Sequence, residues 1–303
     1  MSYRTLLLIV LAVPALLMGG AAALGERIPV PQWGRDYVLR FSFAESAEPL
    51  ELPPVEGPDD PARPLVVIDA GHGGRDPGAV GADAEGRRLQ EKDITLALAI
   101  ALREELLRQG GIRVALTRAD DRILPLAHRP EIARQLDADL FISIHADSAG
   151  ERADVSGASI YTLSDAASSE AAARFAAREN DADRLNGITI DGTSAAVSTI
   201  LVELSQQRTQ EDALAFAGLV LREGEGTLAF VPQPRRAAAL AVLRAPDVPS
   251  VLFESGFVTN NSDRARLATR EGRARYAEVL GRAIRVYFAR RTAAAGRAEA
   301  GGE

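Results

Sequence analysis

The side chains that could carry chemistry in this chain are few, because it has no cysteine and three histidines, His72, His128 and His145. A thiolate nucleophile, a disulfide framework and a cysteine-based zinc site are therefore excluded. His72 lies in a glycine-rich segment at residues 69–74, and His145 follows directly on an apolar run. Any metal site must combine these imidazoles with carboxylates.

Two carboxylates occupy comparable positions in the sequence. Glu91 lies at the predicted start of a helix, and Glu254 follows directly on another apolar run. A catalytic zinc site uses three protein ligands, imidazole or carboxylate, and leaves a fourth position open. His72, His145 and Glu91 meet that number without cysteine. Glu254 could then take a proton from water and pass it to a leaving nitrogen.

Each of these residues also has an ordinary structural interpretation. A histidine after a strand is commonly a hydrogen-bonded structural residue, and a glutamate at a helix N-terminus is stabilised by the helix dipole. Glu254 could be one half of a salt bridge. The glycine-rich segment could bind phosphate, but it lacks the Lys-Ser/Thr pair of a P-loop and the spacing of a dinucleotide-binding motif. His128 has no supporting pattern, and we interpret it as a surface or structural residue.

Strands and helices alternate from Leu65 onwards, which predicts an α/β domain with a mostly parallel sheet. Short continuous apolar runs indicate strands covered on both faces, and apolar stripes at helical spacing indicate helices. The predicted strands cover residues 65–69, 112–116, 140–144, 158–163, 239–243 and 250–253. The predicted helices cover residues 93–108, 130–136, 166–178, 197–204 and 271–290, with Ser262 capping a further short helix.

The ends of these strands explain how residues far apart in the sequence could form one site. Ligands of parallel α/β sheets bind beyond the carboxyl ends of the strands. His72, His145 and Glu254 each follow a predicted strand, and Glu91 faces the same edge from a helix N-terminus. We therefore expect these side chains to lie close together. Asp147 is expected to orient the His145 imidazole or to approach the metal itself.

Composition and the chain termini limit the remaining possibilities. The 303 residues carry 35 basic and 42 acidic side chains, a net charge of −7, so the chain lacks the basic field that nucleic-acid binding requires. An uncharged apolar run predicts a signal peptide over residues 1–25, or a retained membrane anchor, and hence export. Residues 26–64 hold a strand-like stretch at residues 37–43 and a Pro- and acid-rich linker, and residues 291–303 are predicted to be disordered.

The motifs around these residues recur in a fixed order, at residues 67–74, 91–93, 116–118, 126–129, 140–147 and 251–260. In this order they resemble the zinc-dependent N-acetylmuramoyl-L-alanine amidases of the cell-division type, which cut the bond between the lactyl group of muramic acid and the first L-alanine of the peptidoglycan stem. The resemblance covers about residues 65–290 and implies a single catalytic domain with a six-stranded, mostly parallel twisted sheet flanked by helices. It implies Zn2+ bound by His72, Glu91 and His145, with Glu254 as the catalytic carboxylate.

The fourth predicted strand is followed by an insertion over about residues 164–210, which is longer than a connection in this fold requires. In the cell-division amidases that the sequence resembles, a helix at this place blocks the zinc until an activator protein displaces it. The resemblance therefore implies a LytM-type activator as a partner, besides the peptidoglycan substrate. We hypothesise that residues 165–207 occlude the site, with Glu179 or Glu203 reaching the metal. The alternative is an ordinary lid or a wall of the substrate cleft.

The sequence thus predicts an exported, periplasmic zinc amidase of the cell wall, with no nucleic-acid partner and with membrane contact only through an uncleaved N-terminal segment. Two alternatives stay open. Another zinc amide hydrolase, such as a carboxypeptidase acting on the stem peptide, would use the same kind of site. A non-catalytic wall-binding regulator would be expected to have lost a key residue, whereas the sequence retains them all.

Overall fold

The computed structural model describes residues 50–82, 86, 88–150, 152, 154–186 and 199–300. The predicted signal segment and the strand-like stretch at residues 37–43 lie outside these ranges. Within them, no helix combines the length and the apolar character needed to cross a membrane.

The described chain alternates between strands and helices. The strands are β1 Leu65–Ala70, β2 Val80–Ala82, β3 Arg88–Gln90, β4 Arg113–Leu116, β5 Leu140–Asp147, β6 Ala158–Leu163, β7 Phe230–Ala238 and β8 Ser250–Phe257. The α-helices are α1 Glu91–Gln109, α2 His128–Gln135, α3 Glu170–Glu179, α4 Ala182–Leu185, α5 Thr199–Gly224, α6 Asn261–Ala268 and α7 Arg270–Ala300. A 3₁₀ turn covers Ala241–Leu243.

The main sheet has six strands in the order β4-β1-β5-β8-β6-β7. β6 runs antiparallel to β8, and the other neighbouring pairs are parallel, which confirms the predicted α/β fold with a six-stranded, mostly parallel sheet. β1 and β5 are buried along their whole length, as their continuous apolar runs predict. β2 and β3 form a separate antiparallel hairpin that leads directly into α1.

Helices cover both faces of this sheet. On one face α1, α5 and α7 contribute Leu102, Phe216 and Leu280 to a continuous apolar core. On the other face α2 and α3 contribute Ile132 and Phe175 to a second core. Full burial of side chains of this size stabilises a fold by about 1.5–3 kcal/mol each. The two cores therefore hold the carboxyl ends of β1, β5 and β8 in a rigid arrangement.

The edge strand differs from the prediction. The sequence predicts a strand at residues 239–243, whereas the structure has the edge strand β7 at Phe230–Ala238, followed by the 3₁₀ turn. Pro232 and Pro234 interrupt the strand pattern of β7, and prolines are tolerated there because an edge strand pairs on one side only. Residues 239–243 are apolar because side chains such as Val242 pack into the core.

Two helix boundaries also differ from the prediction. Helix α6 is capped by Asn260, whose side-chain oxygen accepts hydrogen bonds from the N–H groups of Ser262 and Asp263 at 2.9 and 3.1 Å. Ser262, the predicted cap, is therefore already inside the helix. Helix α7 continues to Ala300, past residue 291 where disorder is predicted, because this alanine-rich segment has a high helix propensity.

Candidate active site

The residues selected from the sequence lie together beyond the carboxyl ends of the parallel strands. His72 follows β1 by two residues, His145 lies in β5, Glu254 lies in β8, and Glu91 is the first residue of α1. β5 and β8 pair so that His145 lies directly opposite Glu254. Each of these residues is at most 7% exposed. The sheet therefore brings into one buried cluster residues that are far apart along the chain.

The two imidazoles meet at one carboxylate. The ring centroids of His72 and His145 are 4.8 Å apart, with the rings inclined at 72°. Glu91 Oε1 lies 3.0 Å from His72 Nε2 and 3.2 Å from His145 Nδ1. Backbone groups hold this carboxylate in place, because Oε2 accepts a hydrogen bond from the Ala79 N–H at 2.7 Å and Oε1 accepts one from the Ala146 N–H at 2.8 Å.

A residue of the long insertion completes the cluster. Glu179 is the last residue of α3, and its Oε2 lies 3.4 Å from His72 Nε2 and 3.2 Å from His145 Nδ1. Glu179 is 5% exposed. The structure therefore places at the histidines one of the two acids considered from the sequence. The side chain of the other, Glu203, lies outside the described residues.

The donor atoms of this cluster fit a divalent cation. One atom from each of His72, His145 and Glu179 lies within 4.8 Å of the others. Among the described residues, His72 Nε2 and Glu179 Oε2 are buried and make no well-aligned hydrogen bond, although each lies within 3.4 Å of an oppositely charged group. Since buried polar atoms are normally satisfied, such a pair is typical of a site that holds an ion. Imidazole and carboxylate donors without thiolates are compatible with zinc.

The structure adds a residue that the sequence analysis does not identify. Asp76 Oδ2 lies 2.7 Å from His72 Nδ1, and Asp76 Oδ1 accepts a hydrogen bond from the Gly78 N–H at 3.0 Å. A carboxylate on the second ring nitrogen fixes the tautomer of a metal-binding histidine. In the sequence, the only sign of this contact is that His72 and Asp76 are four residues apart. This spacing is too common to indicate a functional pair. His128 is half-buried at the start of α2 and lies outside the metal-fitting group found in the described residues.

The imidazoles and carboxylates of the cluster shift one another's pKa values. Burial would lower the pKa of His72, but Glu91, Asp76 and Glu179 together raise it to about 10. Burial opposes the charge of His145 in the same way, and Glu179 and Glu91 raise its pKa to about 10. Burial would raise the pKa values of Glu91 and Glu179, yet the imidazoles lower both of them overall. The raised histidine pKa values mean that protons on the imidazoles partly balance the carboxylates, and a metal ion bound there would have to displace those protons.

Glu254 has a different environment from the other acids. Its Oε2 accepts a hydrogen bond from the Asp147 N–H at 2.9 Å, and its Oε1 is buried without a partner among the described residues. Burial, followed by the negative charges of Asp147, Glu91 and Glu179, holds the pKa of Glu254 well above its ordinary range. A buried carboxyl group with a raised pKa is suited to general acid–base chemistry.

Asp147, which the sequence analysis expects to orient His145 or to approach the metal, contacts the insertion. Its carboxylate pairs with Arg178 of α3. Burial raises the pKa of Asp147 to about 6, although Arg178 acts in the opposite direction. Arg178 Nη2 also lies 3.3 Å from Glu179 Oε1. This arginine, which the sequence analysis does not identify, therefore links the acid of β5 to the acid that contacts the histidines.

Gly71 occupies a position where no side chain fits. A Cβ atom there would lie 2.4 Å from His145 Nε2. Gly71→Ala is expected to displace the His145 ring and to destabilise the fold by about 1–3 kcal/mol, which thermal unfolding measures. Gly218→Ala is the control, because a Cβ on that residue of α5 would meet nothing within 4 Å and should stabilise the helix by about 0.5–1 kcal/mol. Equal melting temperatures for the two variants would contradict this close contact.

Comparisons with known proteins show which family this chain is similar to. A model of the N-acetylmuramoyl-L-alanine amidase family (Amidase_3) matches residues 66–286. The N-acetylmuramoyl-L-alanine amidase AmiC of Escherichia coli O6:H1 is 34% identical over 246 residues, which cover 79% of this chain and 58% of AmiC. AmiA of Escherichia coli K12 is 36% identical over 225 residues, which cover 74% of this chain and 76% of AmiA. The chain therefore spans less than two thirds of the AmiC sequence.

A solved structure shows the same fold. The N-acetylmuramoyl-L-alanine amidase AmiC2 of Nostoc punctiforme superposes with a TM-score of 0.53 at 30% sequence identity. The match covers 74% of this chain and 97% of that chain. The part of the chain that carries the candidate site is thus similar in both sequence and fold to this group of enzymes.

Proposed function

Because the chain belongs to the N-acetylmuramoyl-L-alanine amidase family, we propose that it is an exported, zinc-dependent enzyme of the cell wall. Its membership in this family identifies it as an amidase. Its proposed reaction is hydrolysis of the amide bond between the lactyl group of N-acetylmuramic acid and L-alanine of the stem peptide. The observation that carries the proposal is the buried cluster in which ring nitrogens of His72 and His145 lie within 3.4 Å of carboxylate oxygens.

The proposed zinc ligands are His72, Glu91 and His145. Glu91 Oε1 lies within 3.2 Å of a ring nitrogen of each histidine, so the three side chains converge on one position. A bound zinc ion would polarise the amide carbonyl of the substrate and lower the pKa of water. Asp76 holds Nδ1 of His72, which leaves Nε2 directed at the cluster.

Glu254 is the proposed general base and general acid. Its Oε1 has no hydrogen-bond partner in the described part of the chain, while Oε2 is held by the Asp147 N–H. One carboxyl oxygen therefore positions the group, and the other is available for proton transfer. In the reaction Glu254 takes a proton from the attacking water and delivers it to the leaving nitrogen of L-alanine.

The insertion is proposed to occlude this site in the resting enzyme. Glu179 Oε2 contacts both imidazoles, at 3.4 and 3.2 Å, so it would compete with substrate for the metal. The Asn180 side chain fastens the end of α3, because it donates to the Ala239 carbonyl and accepts from the Ala241 N–H, both at 2.8 Å. A LytM-type activator protein would have to break these contacts to expose the zinc. The competing interpretation is a lid or a wall of the substrate cleft.

Two further side chains fasten the same segment. Asp183 Oδ1 accepts a hydrogen bond from the Leu126 N–H at 2.8 Å. Asn186 Oδ1 accepts from the N–H groups of Arg75 and Asp76, both at 3.2 Å. Asn186 therefore connects the insertion to the loop whose Asp76 holds His72. These contacts support a closed state built from specific hydrogen bonds.

Occlusion by Glu179 predicts that a side chain that binds the metal more weakly at this position raises the activity measured without activator. Glu179→Gln keeps the size of the side chain and removes its charge. It is expected to increase hydrolysis of sacculi without activator by about tenfold, which corresponds to about 1.4 kcal/mol in favour of the open state. Glu170→Gln on the same helix is the control, because the side chain of Glu170 is 90% exposed. Unchanged or reduced turnover in Glu179→Gln with normal zinc content would favour the lid or wall instead.

Product analysis on purified sacculi tests the proposed reaction. The expected products are whole stem peptides that begin with L-alanine, released by protein that carries zinc. Release of single D-amino acids from the end of the stem would show a carboxypeptidase instead. Binding to sacculi without any release would show a non-catalytic wall-binding protein. Loss of activity on chelation, with recovery on addition of zinc, is the result expected of the proposed cofactor.

A further inference from the structure

Two buried arginines surround the backbone that carries His72, and the proposed reaction does not use them. Arg118 is 0% exposed and Arg129 is 5% exposed. Strand β1 ends at Ala70, so the carbonyl groups that follow leave the sheet ladder while they are still inside the protein. Buried carbonyl groups need hydrogen-bond donors, and here the guanidinium groups supply them.

Arg129 of α2 binds this backbone from one side. Its Nη1 donates to the Ala70 carbonyl at 2.8 Å and to Asp69 Oδ1 at 2.9 Å. Its Nη2 donates to the His72 carbonyl at 2.8 Å and to the Leu124 carbonyl at 3.2 Å. One planar side chain therefore fixes the carbonyl groups on both sides of Gly71 and also pairs with a buried carboxylate.

Arg118, which follows β4, binds the same backbone from another direction. Its Nε donates to the Ala70 carbonyl at 2.8 Å, and its Nη2 donates to the Gly71 carbonyl at 2.8 Å. Nη2 also lies 2.9 Å from the Lys92 carbonyl, next to the predicted ligand Glu91. The two arginines thus hold three consecutive carbonyl groups, at residues 70, 71 and 72.

These contacts bear on the conformation of His72. Its φ angle is +63°, in the left-handed region that costs a residue with a Cβ atom about 1–2 kcal/mol. Such a conformation persists only where the surroundings hold it. The ring of His72 is held by Asp76, and its carbonyl group is held by Arg129. Arg129 therefore acts on the residue from which the imidazole projects.

We propose that Arg129, supported by Arg118, is a positioning residue that holds the backbone of His72 in the left-handed conformation and so directs His72 Nε2 at the zinc position. This inference rests on the proposed function for the identity of the metal. A lysine in place of Arg129 could keep the charge opposite Asp69, but it lacks the planar fork that reaches two carbonyl groups at once.

The test compares Arg129→Lys with Arg134→Lys. Arg134 lies on the same helix, is also largely buried, with a side chain 8% exposed, and binds Asp247 through Nε at 2.9 Å. Zinc affinity of each purified protein is measured by competition with a chromophoric chelator. Arg129→Lys is expected to bind zinc at least tenfold more weakly than wild type, and Arg134→Lys is expected to bind it like wild type. A wild-type zinc affinity in Arg129→Lys overturns the proposal.

A second measurement needs no metal. The Gly71 N–H bonds to the Ile144 carbonyl and the Gly73 N–H bonds to the Asp76 carbonyl. Arg129→Lys should speed hydrogen exchange at these two amides, while Arg134→Lys should leave it unchanged. Equal exchange in both variants overturns the proposal. If Arg129→Lys does not fold, zinc affinity and hydrogen exchange are measured on Arg118→Lys instead. The same weaker zinc binding and faster exchange are expected.

The two readouts separate this proposal from the proposed function. If wild-type protein binds no zinc, or if His72→Ala binds zinc like wild type, the proposed metal site is wrong. The exchange rates of Gly71 and Gly73 then still decide whether Arg129 holds this backbone.

Discussion

Replacement of Glu254 by glutamine is expected to lower the hydrolysis of purified sacculi by about 10²–10⁴-fold, the range that a general acid–base group contributes. Glutamine cannot take up the proton of the attacking water. It keeps the size of glutamate, and its carbonyl oxygen can accept the Asp147 N–H hydrogen bond that Glu254 Oε2 accepts now. Because Glu254 is not a proposed ligand, the zinc content should remain that of wild type.

A second buried glutamate provides the control for this variant. Glu105 on α1 is 9% exposed, and its carboxylate binds Arg108 Nη2 at 2.8 and 3.0 Å. Glu105→Gln should therefore turn over sacculi like wild type. Release of L-alanine-terminated stems is measured by mass spectrometry, and bound zinc by elemental analysis. Hydrolysis by Glu254→Gln at the wild-type rate would show that another residue transfers the proton.

Asp69→Asn is expected to lower the free energy of unfolding by about 3–5 kcal/mol, as the loss of one partner of a buried ion pair does. Asp69 is fully buried in β1. It accepts hydrogen bonds from Arg129 Nη1 at 2.9 Å, from Thr117 Oγ1 at 2.6 Å and from Ser143 Oγ at 2.7 Å. The substitution removes the negative charge and leaves the Arg129 guanidinium buried without its counter-charge.

The same contacts predict how the stability depends on pH. Burial alone would raise the pKa of Asp69, but Arg129, Thr117 and Ser143 hold it below its ordinary value of 3.8. A carboxyl group whose pKa is lower in the folded state stabilises the fold above its unfolded-state pKa, and this contribution is lost as the pH falls through the folded-state pKa. Wild type should therefore lose stability below about pH 4, and Asp69→Asn should lose less over that range.

Urea unfolding between about pH 3 and 7 measures both effects. Asp60→Asn is the control, because Asp60 pairs with Arg63 at the surface at 3.4 Å and its side chain is 51% exposed. Its effect should stay within about 0.5 kcal/mol. A loss below about 1 kcal/mol for Asp69→Asn, or a pH dependence parallel to that of wild type, would contradict the role of the buried pair.

Most of the strands of the main sheet, and the residues expected at their carboxyl ends, can be predicted from the sequence alone. β1 and β5 are recognisable because a strand covered on both faces needs apolar residues at every position. His72, His145 and Glu254 could then be placed together, because the carboxyl ends of parallel strands share one edge of the sheet. β7 could not be recognised, since an edge strand with exposed positions and prolines carries no such apolar run.

The pairs of charged groups that meet across the site become visible only once the chain is folded. Glu179 on the histidines, Arg178 on Asp147 and Arg129 on the His72 carbonyl all join segments that are far apart along the chain. Hydrophobic periodicity indicates which face of a helix or strand is buried, because each buried position favours an apolar residue independently of the others. The partner of an ionisable side chain depends instead on the positions of two elements at once, and these positions are set when the sheet and its covering helices pack together.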